Sequence, residues 1–443
     1  MKAMLHTARL ARRLGLFDAT MLVMGGIVGS GIFITPYVVA RQVHTAALIL
    51  GAWLCGGLIA LLGAFIYAEL AQRLPEVGGQ YAYIREAYNP LLAFLYGWGL
   101  LLVIQTGGMA AVTIIFARYF SAVTGTSAPE WLVAIVTLGT LTLINCLGVR
   151  SGGSMQSGLM LLKILAIAAF VIAGLVYANP LPLSFLPIAD RPLDLQLLSQ
   201  FGAALVPVLF SYGGWQTANF VARELKNPER DLPRGLLLGV AGVVIMYTAV
   251  NYVCLRTLGP SGLAATTTPA SAVMQAAFGD FGGKLIALAI AVSALGFLSQ
   301  SVLTAPRVYF AMAEDGAFFS RVAWVHPKTQ VPVFAIVLQS AWTLVIVLSG
   351  TFEQILSYVV AMDWIFFGLS ASCLFIFRKR SSTSPPVTVP GHPLTTLMFC
   401  LVCVVIVLNT IYRYPVNTLI GIGILLSGIP VYYLWKGKRP RPA

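Results

Sequence analysis

The chain has 443 residues, of which 58% are hydrophobic and only 10% are charged, and it carries a net charge of +13. So few charged residues cannot cover a soluble protein of this length, so the composition excludes a soluble globular protein. The mean hydropathy is +0.86. Apolar stretches of about 20 residues recur along the sequence, each long enough to cross a bilayer core roughly 30 Å thick. We therefore predict an all-α, multi-pass membrane protein.

Twelve membrane-spanning helices are predicted between a basic N-terminal tail, 1–16, and a C-terminal tail, 437–443. The first apolar run is long and has no small-residue cleavage site, so it is interpreted as a retained span and not as a signal peptide. A Ser/Thr/Pro-rich loop, 381–395, separates the first ten spans from the last two. In chain order the predicted spans are 17–40, 46–72, 91–117, 130–148, 157–178, 200–222, 235–257, 284–312, 332–349, 355–377, 396–412 and 416–436.

The basic residues are distributed unevenly between the two sides of the membrane. With the N-terminus inside, 21 of the 28 lysines and arginines lie on the cytoplasmic side and six on the outer side. This asymmetry predicts that both termini are cytoplasmic. The net positive charge is therefore explained by membrane topology, and no nucleic-acid partner is predicted.

The cysteines and histidines predict neither a metal site nor a cofactor. All six cysteines fall inside predicted spans, and the four histidines fall in tails or loops. Cys400 and Cys403 form a C-x-x-C pattern on a predicted lipid-facing helix, but no histidine or further cysteine lies nearby. They are interpreted as helix-packing thiols.

Glycine clusters interrupt two of the predicted spans, at Gly29-Ser30-Gly31 in span 1 and at Tyr212-Gly213-Gly214 in span 6. A helix broken inside the membrane must line a cavity or meet a polar ligand, because an unpaired backbone group in hydrocarbon costs several kcal/mol. Each half has five spans, an odd number, so the second half enters the membrane inverted. The pattern predicts a transporter in which 17–178 and 200–377 are inverted repeats and 396–436 is appended.

The ends of the broken helices predict the chemistry of the ligand. Half-helix N-termini carry partial positive charge and C-termini carry partial negative charge. Amides of Ser30, Gly31 and Ile32 in span 1, together with carbonyls near Gly26 and Ile27, would complement a zwitterion such as a free α-amino acid. In span 6 the carbonyls of Phe210 and Ser211 and the amides after Gly213 would contribute in the same way. The alternative is that the glycines only allow close helix packing.

Four motifs stand out in the two broken spans and in the segments that follow spans 6 and 8. They are Gly25-Gly26-Ile27-Val28-Gly29-Ser30-Gly31-Ile32-Phe33, Phe210-Ser211-Tyr212-Gly213-Gly214-Trp215, Glu224-Leu225-Lys226-Asn227-Pro228 and Pro306-Arg307-Val308-Tyr309-Phe310. Together they resemble the motifs of the L-type amino acid transporters in the amino acid–polyamine–organocation superfamily.

The resemblance implies a leucine-transporter-like 5+5 inverted repeat with discontinuous helices 1 and 6. It also implies alternating access, usually without sodium and often by obligatory exchange. By the same resemblance Ile27, Ser30 and Gly31 would hold the substrate's backbone groups, Phe210 would be an aromatic gate, and Gly213 would leave room for the substrate side chain.

Lys163 is the only basic residue predicted to lie well inside a span. A charge at mid-membrane costs on the order of 3 kcal/mol, so it needs a reason. By the resemblance, its ammonium would replace a sodium ion, bridging span 1 carbonyls near Gly25 or Gly26 to Ser293 on span 8. The alternative is that its stem snorkels to the cytoplasmic surface.

Asp363 and Tyr247 are further candidates for the wall of the site. Asp363 lies in span 10, where well-known animal relatives carry Asn, and would favour a cationic or hydroxylated substrate side chain, accept a coupling proton, or make only a structural hydrogen bond. Tyr247 on span 7 would close the site or simply pack. The mixed-charge segment 223–234 is interpreted as a solvated loop.

The sequence thus predicts a sodium-independent amino acid transporter that works by exchange or proton symport. A polyamine or organic-cation transporter and a non-transporting receptor stay open as alternatives, whereas no nucleophile or metal cluster predicts an enzyme. Animal L-type transporters join a heavy subunit through a cysteine between spans 3 and 4. The corresponding loop here, Arg118 to Glu130, has none, so no disulfide-linked partner is expected. Its short loops suit the plasma membrane of a prokaryote.

Overall fold

The structure is a computed structural model that describes residues 10–349, 352–381, 385–413 and 415–436. Within these ranges the regular structure is helical, apart from one isolated β-bridge between Leu14 and Leu225. The helices of the first half are α1 (Leu16–Ile27), α2 (Gly31–Gln42), α3 (Ala46–Arg73), α4 (Gln80–Ala87), α5 (Pro90–Gly99), a π-helix (Leu100–Ile104), α6 (Gln105–Thr124), α7 (Glu130–Cys146) and α8 (Val149–Val176).

The second half is built in the same way. Its helices are α9 (Leu195–Ser211), a 3-10 helix (Trp215–Glu224), α10 (Pro228–Ala265), α11 (Pro269–Phe278), α12 (Asp280–Thr304), α13 (Pro306–Glu314), a second 3-10 helix (Ser320–Ala323), α14 (Val333–Ser349), α15 (Phe352–Arg380), α16 (Leu394–Arg413), α17 (Pro415–Leu426) and α18 (Gly428–Lys436).

Helix covers each of the twelve predicted spans, which confirms an all-α membrane protein. In the described ranges, nine helical segments are long and apolar enough to cross a bilayer, and three shorter apolar helices are α1, α7 and α14. The number twelve itself stays a prediction. The short helices α4 and α11 lie in loops between spans and were not predicted.

Both predicted interruptions are present. α1 ends at Ile27, Val28 is extended, and α2 begins at Gly31. α9 ends at Ser211, and the chain turns through Gly214, whose φ of +108° is in the left-handed region that favours glycine. One detail differs from the expectation, since the second half of span 6 is a 3-10 helix.

Several of the helix pairs in contact join predicted spans that are five apart along the chain. α3 lies along α10, α6 along α12 and α7 along α14, which are spans 2 and 7, 3 and 8, and 4 and 9. α1 packs against the 3-10 helix of span 6, and α8 against α12 as α15 packs against α6. If each of spans 1–5 is exchanged with the span five places later, every one of these pairs becomes itself or another pair in the set. This is the symmetry expected of an internal repeat.

Candidate functional site

A cavity of about 150 Å³ lies where the two interruptions meet. Its walls come from the break in span 1, the end of α9, the π-helix and α6, α12 and α15. Predicted site residues that line it are Ile27, Ser30, Gly31, Phe210, Ser211, Gly213 and Asp363. Ile32 is fully buried and is not among the lining side chains, so its expected contribution is limited to its backbone amide.

The two interruptions touch through the backbones of two glycines. A Cβ added to Gly26 would lie 2.5 Å from the carbonyl oxygen of Gly214, and a Cβ added to Gly214 would lie 2.0 Å from the carbonyl oxygen of Gly26. Neither distance is possible between real atoms, because carbon contacts are optimal at about 3.5–4.0 Å. Glycine at both positions therefore allows the breaks to approach each other.

The amino end of α2 has free hydrogen-bond donors. Among the described residues, no acceptor is found for the amides of Ser30, Gly31 and Ile32, and Ser30 makes no side-chain cap. The three amides open the 12-residue helix α2 beside the cavity. Such a helix end is an anion site, because unpaired N–H groups and the helix dipole act in the same direction.

Several carbonyls that we expected to face a ligand already have partners. The Tyr247 hydroxyl lies 3.1 Å from the Ile27 carbonyl and 3.4 Å from the Ser211 carbonyl, and the Phe210 carbonyl accepts from the Gly213 amide. The Gly214 amide is also occupied, because it donates to the side chain of Gln216. Gly26 lines the cavity, and no donor to its carbonyl is found among the described residues.

Tyr247 therefore has a different position from the predicted one. It is fully buried, its hydroxyl reaches a carbonyl at each interruption, and its ring packs edge-on against Trp53. Because its hydroxyl is used in this way, it stands behind the wall of the cavity. It joins the two half-helix ends and does not line the site.

Phe210 lies at the rim of the cavity, and an aromatic pair lies at its inner end. Phe210 is 42% exposed. On the side of the 3-10 helix, Trp215 stacks on the lining residue Phe367 with ring centroids 5.5 Å apart. The cavity is therefore open past Phe210 and closed beneath Phe367.

The sequence pattern of the amino acid permease family matches residues 14–432. The chain belongs to the amino acid permease family. This finding confirms the predicted membership of the amino acid–polyamine–organocation superfamily and the prediction of a transporter as opposed to an enzyme.

Similar proteins cover nearly the whole permease chain. A serine/threonine exchanger of Bacillus subtilis (strain 168) is 31% identical over 97% of this chain and 98% of its own length. The human large neutral amino acids transporter small subunit 2 is 28% identical over 97% of this chain and 82% of its own. The human cystine/glutamate transporter is 27% identical over 98% of this chain and 87% of its own length.

Asp363 brings a carboxylate to the cavity of this permease. It lies on α15, and among the described residues no hydrogen bond or ion pair to it is found. Gln105 lines the same cavity from the start of α6. Asp363 is partly buried, and a carboxylate withdrawn from water without a partner is costly, so this side of the cavity suits a hydrogen-bond donor or a cation.

Lys163 occupies the region predicted for it but contacts a different carbonyl. It is fully buried on α8, and its ammonium donates to the Val28 carbonyl. Ser293 donates to the Gly29 carbonyl at 3.0 Å. Both carbonyls follow the last residue of α1 and so have no helical donor. Gly25, which we expected to lie beside the ammonium, instead faces Gln156, since an added Cβ would lie 2.0 Å from the Gln156 amide nitrogen.

A glycine on α12 makes room for this lysine. A Cβ at Gly296 would lie 2.4 Å from Cε and 3.0 Å from Nζ of Lys163. The position of the ammonium is therefore set from three sides, by α8, by α12 and by the break in span 1.

Glu224 and Arg307 close the permease below the cavity. Both side chains are fully buried, and the guanidinium contacts the carboxylate at 2.5 and 3.1 Å. The Glu224 carbonyl accepts from the amides of Arg13 and Leu14. The prediction that 223–234 is a solvated loop is wrong at both ends of the segment. Glu224 is a buried residue at the end of the 3-10 helix, and α10 begins at Pro228 and buries Asp231.

Replacing Arg307 with Gln is expected to lower the stability of the permease. Removing one partner of a buried pair leaves an unpaired charge and costs about 3–5 kcal/mol. Thermal unfolding of purified protein in detergent measures the effect, and the double variant Glu224→Gln/Arg307→Gln should recover part of it. Equal unfolding temperatures for the wild type, Arg307→Gln and the double variant would show that the buried ion pair does not stabilise the permease.

Two polar side chains of the cavity wall, Gln300 and Thr217, were not predicted from the sequence. Gln300 on α12 donates to the Thr217 hydroxyl at 2.5 Å, and that hydroxyl donates to the Gly214 carbonyl at 2.7 Å. Seven residues, two helical turns, separate Gln300 from Ser293, so both lie on the same side of α12. This spacing was the feature of the sequence from which Gln300 could have been predicted. Within the described residues no group of three or more His, Cys, Asp or Glu side chains is arranged to hold a metal.

Proposed function

We propose that this permease transports L-amino acids by alternating access, without sodium, as an exchanger or a proton-coupled symporter. The observation that carries the proposal is a cavity lined by Gly26, Ser30 and Gly31, where the amides of Ser30, Gly31 and Ile32 and the carbonyl of Gly26 have no hydrogen-bond partner among the described residues. The cavity of about 150 Å³ has room for a small solute, since one water takes about 30 Å³. The similar amino acid exchangers support the same substrate class.

The substrate's carboxylate would lie at the amino end of α2 and accept from its free amides. Its ammonium would donate to the Gly26 carbonyl, and to the second lone pairs of the Ile27 and Phe210 carbonyls. Phe210 would then cover the substrate from the open side, and Gly213 would leave space for its side chain. The open side of the structure would be the outer side of the membrane.

Lys163 would supply the positive charge that holds the break in span 1 open without sodium. Its ammonium binds the Val28 carbonyl, next to the Gly29 carbonyl bound by Ser293. Movement of α1 against α8 and α12 would break these contacts and open the Glu224–Arg307 side. Loss of the lysine's proton during that movement would couple transport to protons, whereas a lysine that stays charged would favour exchange.

The remaining organisation follows from the sequence pattern and is part of the proposal. Residues 17–178 and 200–377 would be the inverted repeats, and 396–436 would hold the appended spans. Both termini would lie in the cytoplasm of a prokaryote, at the plasma membrane, and the permease would work without a disulfide-linked heavy subunit. The bacterial exchanger among its relatives supports this location.

Uptake into proteoliposomes tests the function. Vesicles loaded with unlabelled amino acids are given the same labelled amino acid outside, with and without sodium and a pH gradient. We expect uptake to be independent of sodium and to depend either on the internal amino acid or on the proton gradient. Uptake that requires sodium, or no uptake of any of the common amino acids, would overturn the proposal.

Asp363 favours substrates with a second hydrogen-bond donor or a positive charge on the side chain. Hydroxylated and cationic amino acids fit best. Because the Asp363 carboxylate has no partner among the described residues, an organic cation also stays open as the substrate. Asp363→Asn is expected to lower the uptake of such substrates relative to small apolar ones by about tenfold, since a hydrogen bond to a charged group contributes about 1.5–3 kcal/mol. Parallel competition assays with lysine, serine and alanine measure the ratio. An unchanged ratio would exclude Asp363 from the side-chain pocket.

A further inference from the structure

An apolar groove lies on the outside of the helix bundle, between α7 and α8. It has a volume of about 540 Å³, and its floor is formed by α6 and α12. The lining is almost wholly hydrocarbon, with Phe116, Val136, Leu159 and Leu295 as representative side chains. Because the helices that form it cross the bilayer, the groove faces lipid.

The dimensions of the groove fit a single acyl chain. Along α7 it extends from Leu132 to Ile144, a distance of about 18 Å at the helical rise of 1.5 Å per residue. One leaflet of the hydrocarbon core is about 15 Å thick. The mean cross-section, on the order of 30 Å², is well below that of a helix, which is 10–12 Å wide with its side chains. A helix from a second copy of the chain is therefore too wide.

One end of the groove has the chemistry of a membrane surface. Arg118 and Glu130 form an exposed ion pair at 3.0 Å, and Trp131 beside them is half exposed. Tryptophan is enriched at the level of the lipid headgroups. The guanidinium suits the phosphate of a phospholipid whose chain continues into the groove.

The groove borders the Lys163 contact. Leu159 lies one turn before Lys163 on α8, on the same side of that helix, and Leu295 is adjacent to Gly296 on α12. Met155, another lining residue, precedes Gln156, which faces Gly25 in α1. A chain in the groove would thus pack against α8 and α12 beside the residues through which they meet Lys163 and span 1.

We propose that this groove binds one acyl chain of a bilayer phospholipid, which packs beside Lys163 and supports its contact with Val28. Binding of the lipid stands apart from the identity of the transported substrate. Its effect on transport rests on the proposed function.

Photolabelling of the full-length permease tests the binding. The protein is placed in bilayers that contain phosphatidylcholine with a diazirine in one acyl chain, irradiated, and mapped by mass spectrometry of its peptides. Label is expected on α7 and on the first half of α8. Val136→Trp, which fills the groove, should lower labelling there roughly tenfold, because it displaces about two methylene groups worth about 0.8 kcal/mol each.

Leu165→Trp is the matched control, since Leu165 is an exposed residue of α8 outside the groove. It should leave the labelling pattern unchanged. Val136→Phe is used as well, and only variants that keep the wild-type unfolding temperature are compared. Label spread evenly over the lipid-facing helices, or cross-links between copies of the chain through α7, would overturn the proposal.

Transport in bilayers of straight-chain and methyl-branched phospholipids tests the effect. The wild type is expected to slow severalfold in branched lipid, because a branched chain fits the groove poorly, and Val136→Trp should lose this response. If the wild type and Val136→Trp slow equally in branched lipid, the proposal that the bound chain supports the Lys163 contact is refuted. If the wild type transports no amino acid in either lipid, the proposed function is refuted. The labelling result would still show whether the groove binds an acyl chain.

Discussion

Gly214→Ala is expected to lower amino acid uptake at least about tenfold while the protein still inserts and folds. Its φ of +108° disfavours any side chain, and the new Cβ would lie 2.0 Å from the carbonyl oxygen of Gly26. The two interruptions must then move apart by more than about 1 Å to reach ordinary contact. Loss of a single hydrogen bond to the charged ends of the substrate costs about 1.5–3 kcal/mol, so uptake and affinity should fall at least about tenfold.

Gly139→Ala is the control for this prediction. Gly139 lies on α7, and a Cβ there meets nothing within 4 Å. It should transport like the wild type. Uptake in proteoliposomes, together with substrate-induced stabilisation of the purified proteins, separates lost binding from lost folding. A Gly214→Ala protein that binds and transports normally would show that close contact of the breaks is not needed.

Lys163→Met is expected to lower uptake at least about tenfold and to remove any dependence on the proton gradient. Methionine fills most of the same space but leaves the Val28 carbonyl without its charged donor, a loss of about 1.5–3 kcal/mol. Gly296→Ala should have a similar effect without changing the lysine, because its Cβ would overlap the Lys163 stem.

The control on the same helix is Gly283→Ala, where the nearest atom to an added Cβ is 3.9 Å away. Uptake is measured across a range of internal and external pH. If Gly296→Ala behaves like Gly283→Ala, the exact position of the ammonium is unimportant. If Lys163→Met keeps the wild-type rate and pH profile, the lysine has only a structural role.

The interruptions were predictable because one physical rule dominates them. Glycine and serine inside an apolar span have few explanations in hydrocarbon other than a broken helix. The ends at Ile27 and Ser211 were therefore placed to within about a residue. The Asp363 position in the cavity wall followed from a family resemblance, since its distance along span 10 gives depth but not the direction it faces.

Contacts between distant segments were less predictable. The carbonyl that meets Lys163 depends on how α8 is aligned along α1, and this alignment is set by packing at Gly296 and Gln156. Glu224 looked solvated because its neighbours carry both signs of charge, and its partner Arg307 is 83 residues away. Tyr247 was assigned to the right neighbourhood, but only the fold shows that its hydroxyl serves two carbonyls.

The decisive measurement for the substrate site is a structure of the permease with the amino acid identified by the uptake screen. We expect the carboxylate within hydrogen-bond distance of the Ser30, Gly31 and Ile32 amides, with the ammonium at the Gly26 carbonyl. An amino acid bound elsewhere, or a helix continuous from Ile27 to Gly31 in the bound state, would contradict it.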